Sequence, residues 1–148
     1  MFTAVNPLTR GLMVVIAVLA VAGIVVSGVS LQRHYAKSKT AFCDIAETFN
    51  CDIVNRSGYS TIGPIPVALI GILGYAALAG LATVYRSRPD TPRLLFGGAA
   101  AGLAFALYLT YIEGHVLSIW CILCLISLAL ISCITALSAI VWAKRQAD

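Results

Sequence analysis

The sequence predicts an all-α integral membrane protein, a four-transmembrane-helix bundle with a long extracytoplasmic loop between helices 1 and 2. Of its 148 residues, 60% are hydrophobic and 11% are charged, and the mean hydropathy is +0.94. One small soluble core could not bury so much apolar side chain. Four uncharged runs, each about the length of a membrane crossing, alternate with polar segments. We therefore expect residues 1–148 to form a single membrane domain in contact with lipid.

The four apolar runs predict helices at about residues 11–31, 65–85, 94–112 and 119–141. The first run is longer than the apolar core of a usual signal peptide, so we expect a retained helix. Proline is tolerated in a first helical turn, so the second helix can begin at Pro64 or Pro66. Ser118 is the expected N-cap of the fourth helix, which would place Cys121 in its first turn.

The basic residues predict the orientation of the chain. With four spans, both termini and the turn over residues 86–93 lie on one side, which carries Arg10, Arg86, Arg88, Arg93, Lys144 and Arg145 in short segments. By the positive-inside rule this side is cytoplasmic. The C-terminal sequence has no retrieval signal for the endoplasmic reticulum, which favours a bacterial or archaeal plasma membrane. Basic residues without interleaved aromatic residues give no support to nucleic-acid binding.

Residues 32–63 form the one long polar segment and are predicted to be a redox loop, because they contain Cys43 and Cys51. If residues 43–51 were one helix, the two α-carbons would lie about 12 Å apart, beyond the roughly 7 Å limit for a disulfide. The segment must therefore bend if this pair closes, and Phe49-Asn50 is the expected place.

Cys121 and Cys124 form a C-x-x-C pair at the mouth of the fourth helix. Thiols three positions apart share one helical face and can form a disulfide, and the positive end of the helix dipole favours a thiolate. The alternative interpretations are zinc binding or simple packing. Four-cysteine zinc binding fits poorly, because the C-x7-C spacing of the loop pair is unlike a zinc knuckle. Cys133, about 13 Å deeper along the helix, is expected to be a packing residue.

The predicted topology places both cysteine pairs on the extracytoplasmic side, where they could pass electrons by thiol–disulfide exchange. The loop pair could meet a soluble partner, whereas the helix pair borders lipid. Because cysteines cannot store electrons over many turnovers, a terminal acceptor is required. A quinone dissolved in the lipid is the natural choice, since its ring can enter between helices.

Several short motifs occur together in one order: Phe42-Cys43-Asp44, Cys51 after seven intervening residues, Ser57, Gly71, Tyr75, Tyr108-Leu109 and Trp120-Cys121-Ile122-Leu123-Cys124. With this combination, nearly the whole sequence resembles the vitamin K epoxide reductase family, including bacterial homologues that act like disulfide-bond-forming membrane oxidases. The resemblance implies a four-helix bundle around a quinone, either ubiquinone or menaquinone (vitamin K).

The same resemblance implies an electron path. Cys121 and Cys124 would form the active-site disulfide, and Cys43 and Cys51 would carry electrons from a soluble extracytoplasmic thioredoxin-like protein. In that scheme Cys51 attacks Cys121, which frees Cys124 to reduce the quinone. No metal site is expected.

The residues expected at the quinone ring are Phe42, Ser57, Tyr59, Val67, Tyr75, Trp120 and Leu128. Ser57 resembles the family serine close to the active site. Val67 stands where an asparagine is common after the helix-two proline, and Leu128 where vertebrate members carry a tyrosine. Both differences remove polar groups expected to touch a naphthoquinone head group, which argues against epoxide reduction and leaves the disulfide–quinone reaction unaffected, since that reaction depends on the cysteines.

Two alternatives remain: vitamin K epoxide or quinone reduction, and a non-enzymatic membrane scaffold whose disulfides are structural. Two further residues near Cys121 also stay open. His115 could accept a proton, but an interfacial loop residue is the simpler interpretation. For Glu113, a solvated carboxylate in a short turn is the simpler interpretation.

Overall fold

The computed structural model describes residues 6–35, 44–46, 49–50, 58, 61–86 and 88–147. Four α-helices make up most of this part of the chain: α1 (Pro7–Tyr35), α2 (Val67–Thr83), α3 (Thr91–Tyr111) and α4 (Ile122–Ala147). A π-helical segment, Ile112–Leu117, continues α3 without a break. The architecture is a helical bundle of the kind found in membranes, as predicted.

Within the described residues, three segments are long and apolar enough to cross a membrane: Pro7–Tyr35, Thr91–Leu117 and Ile122–Ala147. The remaining helix, α2, is apolar but has 17 residues. At 1.5 Å per residue it is about 25 Å long, slightly less than a typical hydrocarbon core.

In the described parts of the segment between α1 and α2 there are two short antiparallel ladders, which the sequence did not predict. Strand β1 (Asp44–Ala46) pairs with β2 (Phe49–Asn50), and β3 (Thr61–Ile62) pairs with β4 (Ile65–Pro66). The first pairing reverses the chain between Ala46 and Phe49. The expected bend therefore exists, but the residues proposed for it, Phe49-Asn50, belong to a strand. Cys43 and Cys51 lie outside the described residues.

Because of the second ladder, α2 begins later in the sequence than predicted. Ile65 and Pro66 are in β4, and helical geometry begins at Val67, so the two prolines precede the helix instead of opening its first turn. Gly63, in the two-residue turn of this ladder, has φ +62°. This left-handed conformation is one that glycine adopts without the steric cost of a Cβ.

Helix α1 packs against both α2 and α4, and α3 packs against α4, whereas α2 and α3 contact each other much less. The buried side of α1 repeats at alternating intervals of four and three residues: Thr9, Met13, Ile16, Ala20, Gly23, Ser27 and Ser30. This spacing is typical of helices in left-handed contact. Several of these residues are small or polar, so hydrophobicity alone could not identify the buried face.

Small residues set the close approach of α1 to α2. The Tyr75 ring fills the space beside Gly23, where any Cβ would collide with ring carbons, and a Cβ at Gly71 would lie 2.8 Å from Ser27 Oγ. Close packing at small residues is a main source of helix association in membranes, where lipid removes most of the hydrophobic driving force. Gly71 and Gly23 thus form part of the contact surface between α1 and α2.

At the opposite end from Cys121, the end of α4 is joined to the turn between α2 and α3. The Arg145 guanidinium donates hydrogen bonds to the backbone oxygens of Arg88 at 3.0 Å and Arg86 at 2.6 Å. Within that turn, the Thr91 hydroxyl donates to the Tyr85 carbonyl. The turn and the C-terminus of α4 therefore lie at one end of the bundle.

Gly23→Ala should destabilise the protein by about 1–3 kcal/mol, because the added methyl collides with the Tyr75 ring in a packed interface. Gly28→Ala is the matched control in the same helix. No atom lies within 4 Å of its added methyl, so it should be neutral or stabilise by up to about 1 kcal/mol through helix propensity. The midpoint of thermal unfolding in one detergent measures both. Equal effects of the two variants would contradict the packing described for Gly23.

Candidate active site

The candidate site is built at the junction between α3 and α4. Helix α3 runs straight into the π-helical segment, which ends at Ser118 in the left-handed region with φ 54°. The backbone N–H groups of Ser118 and Ile119 both donate to the Glu113 carbonyl. π-Helical turns inside helices are frequent at functional sites. The predicted short turn over Glu113–His115 is therefore wrong: these residues extend the preceding helix.

Cys121 is the residue immediately before α4, and its side chain is fully buried. Its carbonyl accepts the first helical hydrogen bond, from the Leu125 N–H at 3.0 Å, so Cys121 itself occupies the N-cap. The prediction of Ser118 as N-cap is wrong, because Ser118 ends the π-helical segment. Cys124 consequently lies in the first turn of α4, near the positive end of the helix dipole.

Glu113 connects the π-helical segment to both cysteines. It is 2% exposed, so the expectation of a solvated carboxylate is wrong. Its Oε2 accepts a hydrogen bond from the Cys121 backbone N–H at 3.2 Å. The Cys124 side chain also interacts with this carboxyl group. His115, in contrast, is exposed, and its ring stacks on Tyr111 at a centroid distance of 4.6 Å.

A cavity of about 470 Å³ opens beside the cysteine pair, where α2 and α3 are held apart. Its volume lies within the range of about 300–1,000 Å³ typical of small-molecule pockets. The lining is predominantly apolar, with small residues such as Gly74, Ala77, Ala101 and Gly102 along α2 and α3. The polar groups that line it are Ser27, Ser30, His34, Tyr75, Glu113, Cys124 and Ser127. Such a space suits a flat apolar ring that carries a few hydrogen-bonding atoms.

Tyr75 crosses from α2 to α4 one helical turn beyond Cys124. Its hydroxyl lies 2.9 Å from the Ser127 carbonyl oxygen, to which it donates, and 2.8 Å from Ser127 Oγ. The ring rests on Gly23 of α1. Tyr75 therefore holds three helices together at the wall of the cavity.

Trp120 supports the junction by packing against the π-helical segment. A Cβ at Gly114 would lie 2.9 Å from the Trp120 ring, so only glycine at this position lets the indole pack closely. This contact connects the π-helical segment to the residue that precedes Cys121. A metal site is not visible here, since no cluster of three or more His, Cys, Asp or Glu side chains occurs among the described residues.

The structure brings together some of the predicted site residues. Cys124, Val67 and Tyr75 line the cavity. Trp120 and Leu128, both half-buried, are not part of the cavity wall. Five other predicted site residues lie outside the described part of the chain: Phe42, Cys43, Cys51, Ser57 and Tyr59.

Sequence reasoning missed the burial of Glu113 and the role of Ser127. The signal for Glu113 was present, because a lone acid between the apolar run that ends at Ile112 and the apolar residues from Val116 is unusual in a membrane helix. Ser127 carried no comparable signal. Its importance follows from the position of Tyr75 on a different helix.

A sequence model described as the Vitamin K epoxide reductase family matches residues 14–139. The match covers most of the chain and includes α2, α3, the π-helical segment and both predicted cysteine pairs. The buried Cys121 at the start of α4 and the cavity lined by Cys124 also lie within the matched region. The chain is therefore a member of the vitamin K epoxide reductase family.

Proposed function

We propose that this protein is a membrane thiol–disulfide oxidoreductase that supports disulfide bond formation. Electrons pass from a soluble thioredoxin-like protein to Cys43 and Cys51, then to Cys121 and Cys124, and finally to a quinone, either ubiquinone or menaquinone. Membership of the family supports a quinone-linked membrane oxidoreductase. The electron path, the partner and the choice between quinones are our proposal.

The observation that carries the proposal is the position of Cys124. It lies in the wall of the apolar cavity, while its neighbour Cys121 is fully buried at the N-cap of α4. A thiol–disulfide pair that only held helices together would need no such space beside it. A redox pair that must transfer electrons to a lipid-soluble acceptor does need it.

The cavity lining fits a quinone. Apolar side chains of α2 and α3 can enclose the ring, and hydroxyl groups such as those of Ser27 and Ser30 can donate hydrogen bonds to carbonyl oxygens. A bound quinone supplies an acceptor for two electrons and two protons. The residues of this chain position the acceptor, exclude water from it and present the Cys124 sulfur to it.

The first ladder supports the role of the loop cysteines. Asp44 and Asn50 are cross-strand partners, and Cys43 and Cys51 are their immediate sequence neighbours. The antiparallel pairing brings Asp44 beside Asn50, and a disulfide between Cys43 and Cys51 is part of the proposal. In the proposed exchange, the Cys51 thiolate attacks Cys121 Sγ, the Cys121–Cys124 bond breaks, and Cys124 leaves as a thiolate, which takes up a proton to become the thiol.

We place both termini in the cytoplasm of a bacterial or archaeal cell and the cysteines on the outer side of its plasma membrane, with α2 as a fourth span. The Arg145 contacts support a common end for the C-terminus and the turn that carries Arg86 and Arg88. Basic residues at that end favour its cytoplasmic placement. Cys121, at the other end of α4, then faces the oxidising side, where disulfides persist.

Cys124→Ser should trap a disulfide between Cys51 and Cys121, because the sulfur that would displace Cys51 from Cys121 is gone. Cys43→Ser should trap the same bond, because Cys43 is the sulfur that would displace Cys121 from Cys51. Peptide mass spectrometry without reductant identifies the bond. Cys133→Ser is the control, since Cys133 is exposed and lies beyond the cavity wall. It should leave the cysteine connectivity of the wild type unchanged. Two permanent disulfides that survive mild reductant, with no mixed bond in either variant, would instead support a structural scaffold.

Gly74→Leu should raise the KM for quinone about tenfold, equivalent to ~1.4 kcal/mol of binding, because the new side chain occupies the cavity that Gly74 lines. Gly80→Leu is the matched control. It lies in the same helix with equally open space around its Cβ but outside the cavity wall. Steady-state kinetics with varied quinone measures the difference. If both variants raise KM equally, or neither does, the cavity is not the quinone site.

A further inference from the structure

Glu113 combines deep burial with incomplete hydrogen bonding. The side chain is 2% exposed, and Oε2 accepts the Cys121 N–H. No group in the described part of the chain forms a hydrogen bond with Oε1. Leaving a buried polar atom without a partner costs about 1–3 kcal/mol. Such atoms are rare in native structures, and each one needs a physical reason.

The surroundings of Glu113 suggest that reason. The residue lines the cavity together with Cys124, and the Cys124 side chain interacts with its carboxyl group, so Glu113 is next to both the reacting sulfur and the space for the acceptor. The other described titratable groups that line this cavity are His34 of α1, Tyr75 of α2 and Cys124 itself. Tyr75 already directs its hydroxyl to Ser127. Glu113 is therefore placed to move a proton between Cys124 and the cavity.

We propose that Glu113 is the proton carrier of the quinone half-reaction, accepting the proton of the Cys124 thiol and delivering it through Oε1 to the acceptor in the cavity. This inference rests on the proposed function. Two S–H bonds break and one S–S bond forms between Cys121 and Cys124. The two electrons reduce the quinone, and the two protons end on its two oxygens. Glu113 returns to its starting state after each turnover.

A purely structural role is the alternative to test. By accepting the Cys121 N–H, the carboxyl group could simply fix the start of α4. Glu113→Gln separates the two roles, because the amide keeps the shape and an oxygen acceptor for that N–H but cannot carry a proton. His115→Gln is a matched control in the same π-helical segment, since His115 is exposed and points to Tyr111.

The first measurement follows reoxidation of the dithiol-reduced, purified protein by a short-chain quinone in a single turnover. Losing a positioned acid–base group typically slows such a step 10²–10⁴-fold, so Glu113→Gln should be slower than wild type by about 100-fold. Reduction of the Cys121–Cys124 disulfide by dithiothreitol should change less than about twofold, because it does not require that acceptor. His115→Gln should match wild type in both reactions.

The second measurement needs no quinone. Infrared difference spectra between the disulfide and dithiol forms should contain a carboxyl band, because reduction gives Cys124 a proton to share with Glu113. The band should shift in deuterium oxide and be missing in Glu113→Gln. Asp90→Asn removes an exposed carboxylate at the far end of α3 and should retain it.

Wild-type reoxidation rates in Glu113→Gln, or the same carboxyl band in that variant, would overturn the inference. If the wild-type protein reduces no quinone, the proposed function fails. The infrared measurement still decides whether Glu113 and Cys124 share a proton.

Discussion

The site depends on one hydrogen-bonded group, the Glu113 carboxyl, which meets the start of α4 in an apolar environment. The first N–H groups of a helix have no hydrogen-bond acceptor within it. When the helix end is buried, each N–H group left without an acceptor destabilises the fold. Here Glu113 accepts the N–H of Cys121 at the N-cap. In a capping box a Glu at the third helical position performs this task. In this chain Cys124 occupies that position, and the carboxylate comes instead from the end of the preceding helix.

This arrangement explains why the connection between α3 and α4 is irregular. To bring Glu113 under Cys121, the helix widens into a π-helical segment and then ends at Ser118, a non-glycine residue in the left-handed region. Both features cost energy locally. The result is a compact junction in which the Glu113 carbonyl accepts the N–H groups of Ser118 and Ile119, and its carboxyl group accepts the N–H of Cys121. Gly114 is part of this junction, because the absence of a side chain there leaves room for the Trp120 ring.

The sequence predicted the apolar helices, the cysteine pair at the mouth of α4 and the quinone-linked family chemistry. Hydropathy is enough to locate membrane helices, and the cysteine spacing lies within one turn. The sequence could not reveal the N-cap of α4. Ser118 is the better capping residue by propensity, but the long-range packing of Glu113 against Cys121 overrides that preference. Nor could the sequence separate glycines that close a helix contact, such as Gly71, from those that leave space, such as Gly74. That distinction depends on how far α2 stands from α3, which is a property of the assembled bundle.

The central claim is that this chain transfers electrons from a thiol protein to a lipid-soluble quinone. The most direct measurement mixes purified wild-type protein with a reduced thioredoxin-like substrate and either ubiquinone or menaquinone, and follows quinone absorbance. We expect catalytic loss of quinone absorbance together with formation of a disulfide in the substrate protein. Unchanged absorbance with both quinones, when all four relay cysteines are intact, would contradict it.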